Sequence, residues 1–259
     1  MLTDLEGKTI LVAGGAGYLG VPLCQLLAAQ GANVCIGDTN QDQLDQAIQL
    51  IRADAPKGNV WGQKLDVGNE ASIISGVAAC VERFGGLHGL VNATSGASGK
   101  PIDDLTSDDF DAANRINLTG PFLMARQAAQ HMKGAGSIVM YASMFGLVSP
   151  NQANYPSGIT RNPIEYGAGK AGMIQMVRYL ASHYGPQNIR VNAVAPGPFP
   201  NIERLNLPEE FIENLERDTM LGRVGRAHET AGPVAFLLSD AASYITGHTL
   251  PIDGGWTAW

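Results

Sequence analysis

The 259-residue chain alternates short apolar runs with longer stretches of helical spacing. The runs Lys8–Ala13, Ala32–Asp38, Gly58–Val67, Leu87–Ala93, Ser137–Ser143, Ile189–Ala195 and Gly247–Ile252 are short and mostly apolar. Runs of this kind read as strands, and near-continuous apolar strands belong to sheets buried on both faces. Between them Val21–Gln30, closed by Gly31, reads as a helix. So do Gln41–Ala53, Glu70–Phe84, Asp108–Met132, the stretch from Glu165 through Met173–Leu180, Leu205–Arg217 and His228–Leu238. Strand and helix alternate to the end, which predicts an α/β chain: a doubly wound parallel sheet of about seven strands. No linker, repeat, low-complexity tract or second composition regime divides it, so residues 1–259 are read as one domain.

The first strand runs directly into Gly14-Gly15-Ala16-Gly17-Tyr18-Leu19-Gly20, and a helix follows. A backbone without side chains can approach a pyrophosphate closely, and the helix N-terminus presents free N–H groups to it. Strand, glycine turn and helix together predict dinucleotide binding and a Rossmann-type fold. Asp38 ends the second strand ~20 residues on, where a carboxylate accepts both ribose hydroxyls of an adenosine. The same charge repels a 2′-phosphate, and no Arg or Lys lies between Lys8 and Arg52. NAD is therefore expected over NADP. Capping of the next helix is the bland role for Asp38, although Asn40 serves equally well. Asp66 is placed to touch the adenine, with capping of the helix from Glu70 as its other role.

Tyr166 and Lys170 stand four positions apart on a helix and project from one face. A phenol ionises near pH ~10. A cation within a few ångströms favours the phenolate, so Lys170 is expected to lower the Tyr166 value and make it an acid/base. An isolated pair of this kind is more often only surface chemistry; the dinucleotide motif gives it a use.

Composition removes other classes. Net charge is −7 with no basic block, which argues against nucleic acid or an anionic membrane as partner. No apolar run approaches ~18 residues and no export signal opens the chain, so a cytoplasmic protein is expected. Cys24, Cys35 and Cys80 fit reduced core thiols. The five scattered histidines give no reason to expect a metal.

Taken in order, Gly14/Gly17/Gly20, Asp38, Asp66, Asn92, Asn117, Ser143, Tyr166, Lys170, Pro196-Gly197 and the tail from Gly247 to Gly255 resemble the short-chain dehydrogenase/reductase family. The resemblance covers nearly the whole chain. It implies that Tyr166 exchanges a proton with the substrate oxygen and that Lys170 also holds the nicotinamide ribose. It implies that Ser143 holds the substrate oxygen, and that Asn117, through a helix irregularity and a water, links Lys170 to solvent. The implied cofactor contacts are Gly14, Ala16, Gly17, Tyr18, Leu19, Asp38, Asp66, Val67, Asn92, Tyr166, Lys170, Pro196, Gly197 and Phe199. It also implies a homotetramer or homodimer, paired through the Tyr166 helix and the Trp256–Trp259 end of the chain.

Four departures from the family pattern stand out. Tyr18 occupies the middle-glycine position of the phosphate turn, and Asn92-Ala93-Thr94-Ser95 replaces the usual sequence after the fourth strand. Pro198-Phe199-Pro200-Asn201 lacks the usual threonine, with Asn201 as its substitute. The stretch between Ser143 and Tyr166 is longer than such enzymes usually show. Its polar, proline-bounded part, Pro150–Pro163, is expected to wall the substrate pocket with amide, hydroxyl and guanidinium donors suited to a sugar-like substrate. Packing on a neighbouring subunit is the alternative. Segments 146–165 and 198–226 are thus the variable substrate segments, Leu205–Arg226 forming a mobile cover. The resulting expectation is an NAD-dependent alcohol dehydrogenase/carbonyl reductase. A nucleotide-sugar epimerase or dehydratase and a non-catalytic dinucleotide sensor are its rivals.

Overall fold

The computed structural model describes residues 4–54 and 59–259. Seven parallel strands form one sheet in the order β3-β2-β1-β4-β5-β6-β7. They are β1 (Thr9–Ala13), β2 (Asn33–Asp38), β3 (Val60–Lys64), β4 (Gly89–Asn92), β5 (Gly136–Tyr141), β6 (Ile189–Pro196) and β7 (Thr249–Ile252). The expected third strand is trimmed at both ends: Gly58 lies outside the described residues, and the ladder stops where β2 ends, at Asp38 opposite Lys64. Pro251 is tolerated because β7 is an edge strand paired only with β6.

Helices α1 (Gly20–Ala29), α2 (Gln41–Asp54), α3 (Glu70–Phe84), α4 (Ser107–Asn114), α5 (Gly120–Ala129), α6 (Ile164–Tyr184), α7 (Ile202–Leu205), α8 (Glu209–Arg217) and α9 (Ala231–Leu238) complete the chain. One apolar core gathers Leu23 and Leu27 of α1, Leu44 and Ile51 of α2, and Val234 and Leu237 of α9 under one sheet face. The other gathers Ile73 and Val77 of α3, Met124 and Ala128 of α5, and Met173 and Val177 of α6. The buried layer is therefore two-sided, which is why the strands read as unbroken apolar runs. Cys24, Cys35 and Cys80 are free and buried in these cores. No helix among the described residues is long and apolar enough to cross a membrane.

Two expected helices are interrupted. The 108–132 stretch divides into α4 and α5 around a π-helical turn, Arg115–Thr119, that carries Asn117. Its periodicity survives the extra residue, so the break is invisible in the pattern. The 205–217 stretch divides into α7 and α8 at Asn206, in the left-handed region at φ 44°, followed by Pro208 at the N-cap of α8.

Strand order reverses between β1 and its neighbours β2 and β4. In such sheets the crevice for a ligand opens at the carboxyl ends of the strands where the order reverses. The glycine turn after β1 and the loop after β4 meet there: a Cβ on Gly14 would lie 2.9 Å from the Ala93 carbonyl carbon and oxygen.

Candidate active site

Ser143 follows β5 in extended conformation and caps the short helical turn Met144–Gly146. Its Oγ accepts the Phe145 N–H at 3.1 Å. The hydroxyl proton is thereby left free to point elsewhere, and Ser143 is a hydrogen-bond partner of the Tyr166 hydroxyl. Tyr166 comes from the first turn of α6. The Met144–Gly146 turn lies directly on that helix: a Cβ on Gly146 would be 2.8 Å from the Lys170 carbonyl carbon. Two hydroxyls from separate elements are thus fixed side by side at the carboxyl edge of the sheet.

Lys170 is almost completely buried. Its Nζ donates to the Tyr141 carbonyl at 2.7 Å and to the Thr94 carbonyl at 3.3 Å, and lies 5.5 Å from the Tyr166 ring centroid. The ammonium therefore stands near the Tyr166 ring. The expected lowering of the Tyr166 value is corrected by burial. Burial pushes the Tyr166 hydroxyl above its ordinary value, with the Ser143 hydrogen bond opposing, while burial pulls the Lys170 ammonium down to about 7.

Asn117 is fully buried in the π-turn. Its oxygen accepts the Gly96 N–H at 3.0 Å and its amide donates to the Gly96 carbonyl at 2.6 Å. The π-turn thus holds the loop after β4, a direct role beside the expected water link. Glu165, which the sequence reading left without a role, holds the same loop through Ser98. The legible signal was a carboxyl group immediately before Tyr166 on an otherwise weakly charged helix.

The remaining predicted positions divide. Asp38 receives only the Asn40 N–H at 3.3 Å, and Asn40 itself caps α2 through the Gln43 N–H. The capping role for Asp38 is thereby removed. Asp66 makes a turn with the Gly68 N–H at 2.8 Å, and the N-cap of α3 is Asn69, not Asp66. Val67 is buried, its carbonyl approached by Gly120 of α5. Gly197 sits so close to Asp253 that a Cβ would be 2.6 Å from its Cα, which fixes the Pro196-Gly197 turn against the end of β7. The Phe199 ring packs on Gly225. Asn201 caps α7 through the Arg204 N–H at 3.3 Å. Tyr18 points across to this segment, its hydroxyl donating to the Pro200 carbonyl at 3.3 Å.

The long segment before Tyr166 has two parts. Gly158–Pro163 lines a cleft of about 810 Å³ with Phe145–Pro150 and with Gly167, Ala168 and Ala171 of α6. Thr160, Arg161 and Asn162 border this cleft. The earlier part of the segment reaches the cover: Asn154 donates to Asp218 at 2.7 Å, and Tyr155 meets Phe211 with ring centroids 5.5 Å apart. Met144, Leu215 and Trp256 form a small apolar cluster beside it.

A family model described as enoyl-(acyl carrier protein) reductase matches residues 16–257. The chain is 36% identical to cis-4-hydroxycyclohexanecarboxylate dehydrogenase from Sinomonas cyclohexanicum, over 97% of each chain. It is 34% identical to levodione reductase from Leifsonia aquatica, over 99% of this chain and 96% of that one. A structure of a short-chain alcohol dehydrogenase from Sinorhizobium meliloti 1021 superposes with a TM-score of 0.90 at 30% identity, over 100% and 99% of the two chains. The chain belongs to the short-chain dehydrogenase/reductase family.

Members of the short-chain dehydrogenase/reductase family use nicotinamide dinucleotides, and as an oxidoreductase of this family the chain acts on CH–OH groups. The residues present fit such a cofactor. Gly14 takes φ +78°, a conformation open to glycine. No side chain caps the first turn of α1. The Asp38 carboxylate is left over from helix capping. Asn92 is fully buried and its amide nitrogen has no hydrogen-bond partner among the described residues, a donor in want of an acceptor at the carboxyl end of β4.

Proposed function

We propose that this chain is an NAD-dependent dehydrogenase that interconverts a secondary alcohol and its ketone on a polar, hydroxylated small molecule, sugar-like or carbocyclic. The observation that carries the reading is the convergence of Ser143, Tyr166 and Lys170 at the carboxyl edge of the sheet. Gly14–Gly20 and α1 hold the pyrophosphate, Asp38 the adenosine ribose, and Asn92 a group near the strand ends. The nicotinamide, when bound, accepts or supplies the hydride. Ser143 and Tyr166 bind the substrate oxygen together, which fixes its lone pairs and removes orientational freedom. Tyr166 takes the hydroxyl proton in oxidation and returns it in reduction. The Lys170 cation, held against the ring by the Tyr141 and Thr94 carbonyls, opposes the burial that otherwise disfavours the phenolate.

NAD is assigned because Asp38 is an uncommitted carboxylate where a 2′-phosphate would have to sit. The substrate class is supported by relatives whose names specify hydroxylated or oxygenated six-carbon rings. The assay is a panel of cyclic alcohols, polyols and sugar derivatives with NAD and NADP, followed by absorbance of the reduced nicotinamide. Tyr166→Phe removes the proton carrier and little volume, and it should lower turnover at least ~10²-fold while NAD still binds. A Phe variant with wild-type turnover on every active substrate would overturn the assignment.

A further inference from the structure

The loop after β4 is attached to the catalytic residues at successive points. The Thr94 carbonyl accepts Lys170 Nζ at 3.3 Å, and Gly96 exchanges two hydrogen bonds with Asn117 at 3.0 and 2.6 Å. The third point lies outside the family's catalytic set. Glu165 Oε1 accepts both the N–H and the hydroxyl of Ser98, at 2.9 and 2.7 Å. Just beyond, the loop leaves through Gly99 at φ +71°. Glu165 has zero exposure, and its Oε2 is buried with no hydrogen-bond partner among the described residues. Its backbone carbonyl takes the Asn114 amide at 3.4 Å, so the same residue also joins α6 to the end of α4.

Burying a carboxyl group with one oxygen unpartnered is unfavourable, and an apolar residue would fill the space without that cost. The geometry explains why a carboxyl group stands there. A single oxygen receiving two donors from one residue fixes Ser98 in position and orientation. Thr94 and Gly96 are fixed by Lys170 and Asn117, so Ser98 is the remaining free end of the strap. We propose that Glu165 is a positioning residue of the reaction, clamping the 94–98 loop so that the Thr94 carbonyl stays on Lys170 and the loop walls the reacting site at a fixed distance. This rests on the dehydrogenase reading given above, and it adds a residue that touches neither substrate nor cofactor.

The test compares Glu165→Leu, Glu165→Gln and Ser98→Ala by two readouts. Hydrogen exchange of the 94–99 amides is measured on the protein alone. Steady-state kinetics use NAD and the best alcohol of the panel. Glu165→Leu should speed exchange at Gly96 and Ser98 at least ~10-fold. It should lower kcat by ~10- to 100-fold, with KM for both reactants within about threefold. Glu165→Gln keeps the accepting oxygen and should retain most of both. Ser98→Ala loses one of two bonds and should move both readouts the same way by less. A folded Glu165→Leu with wild-type exchange and kcat overturns the proposal, as does faster exchange with unchanged kcat. If Glu165→Leu does not fold, an unaffected Ser98→Ala overturns it. Absence of any turnover in the wild type would sink the dehydrogenase reading alone, because the exchange comparison decides the clamp without substrate.

Discussion

Replacing Lys170 by Met removes a nearly buried ammonium and keeps an unbranched side chain of similar length. The consequence is set by pH. Burial holds Lys170 at about 7 against an ordinary 10.5. The folded form therefore binds fewer protons than the unfolded chain between those values. Stability of the wild type then rises with pH through that window, and the penalty is complete below pH 7. At 1.36 kcal/mol per pH unit the full penalty is roughly 5 kcal/mol, and about 3 kcal/mol of it is relieved between pH 6 and pH 9. Tyr166 is pushed upward and does not titrate in this range. The Met variant also leaves the Tyr141 and Thr94 carbonyls without this donor, at ~1–3 kcal/mol each, and that term does not vary with pH. The offset between the two proteins thus mixes two effects, but the slope belongs to the ammonium. Urea unfolding at fixed protein concentration, from pH 6 to 9, gives the difference in ΔG. Wild type should gain about 3 kcal/mol on Lys170→Met across the range. A flat difference would mean that Lys170 is solvated or fully compensated in the fold, and the account of its burial would be wrong.

Other consequences are simpler to read. Asp38→Ala should raise kcat/KM with NADP relative to NAD at least ~10-fold, because the repelling charge is gone; an unchanged ratio would refute the NAD assignment. Gly20→Ala places a Cβ 2.3 Å from the Gly14 carbonyl oxygen, whereas Gly17→Ala meets that oxygen only at 3.2 Å. The first should lose ~2–3 kcal/mol and NAD affinity in urea unfolding and titration, the second far less; equal effects would refute the close-approach argument. Glu229 is held at about 2 chiefly by its hydrogen bonds to Arg223 and to the Arg226 N–H, a fork that ties down the end of segment 198–226. That contribution is present above the ordinary carboxyl value and fades as pH falls. Glu229→Gln should therefore lower Tm at pH 7, with the gap narrowing below pH 4.5.

The elements were legible for a physical reason that also marks where legibility stops. A strand covered on both faces must be apolar at every position, so β1, β2, β4, β5 and β6 announce themselves within a residue or two. The edge strand β3 does not, because its limit is set by its only partner, β2. The break at Asn206 had a local signal in Pro208, whereas the π-turn at Asn117 accompanies a contact between sequence-distant residues. Gly120 must come within reach of the Val67 carbonyl, and no local pattern records that.

The candidate site divides along the same line. Residues whose position depends on their own element stand where the sequence puts them: Ser143 just after β5, Tyr166 and Lys170 one helical turn apart. The net direction at Tyr166 was misread, since periodicity places Lys170 on the Tyr166 face but says nothing of the burial that raises the phenol. The course of Pro150–Pro163 was hidden for a related reason. A segment bounded by Ser143 and Tyr166 must begin and end beside them, yet between those ends its course is set by distant partners, Asp218 for Asn154 and Phe211 for Tyr155. Glu165 is the reverse case. Its role depends on Ser98, sixty-seven positions earlier, and only the folded chain puts the two together. Sequence therefore locates the groups that do chemistry, while the groups that hold them in place come from pairings it does not encode locally. A catalytic list drawn from motifs alone will omit residues of the second kind.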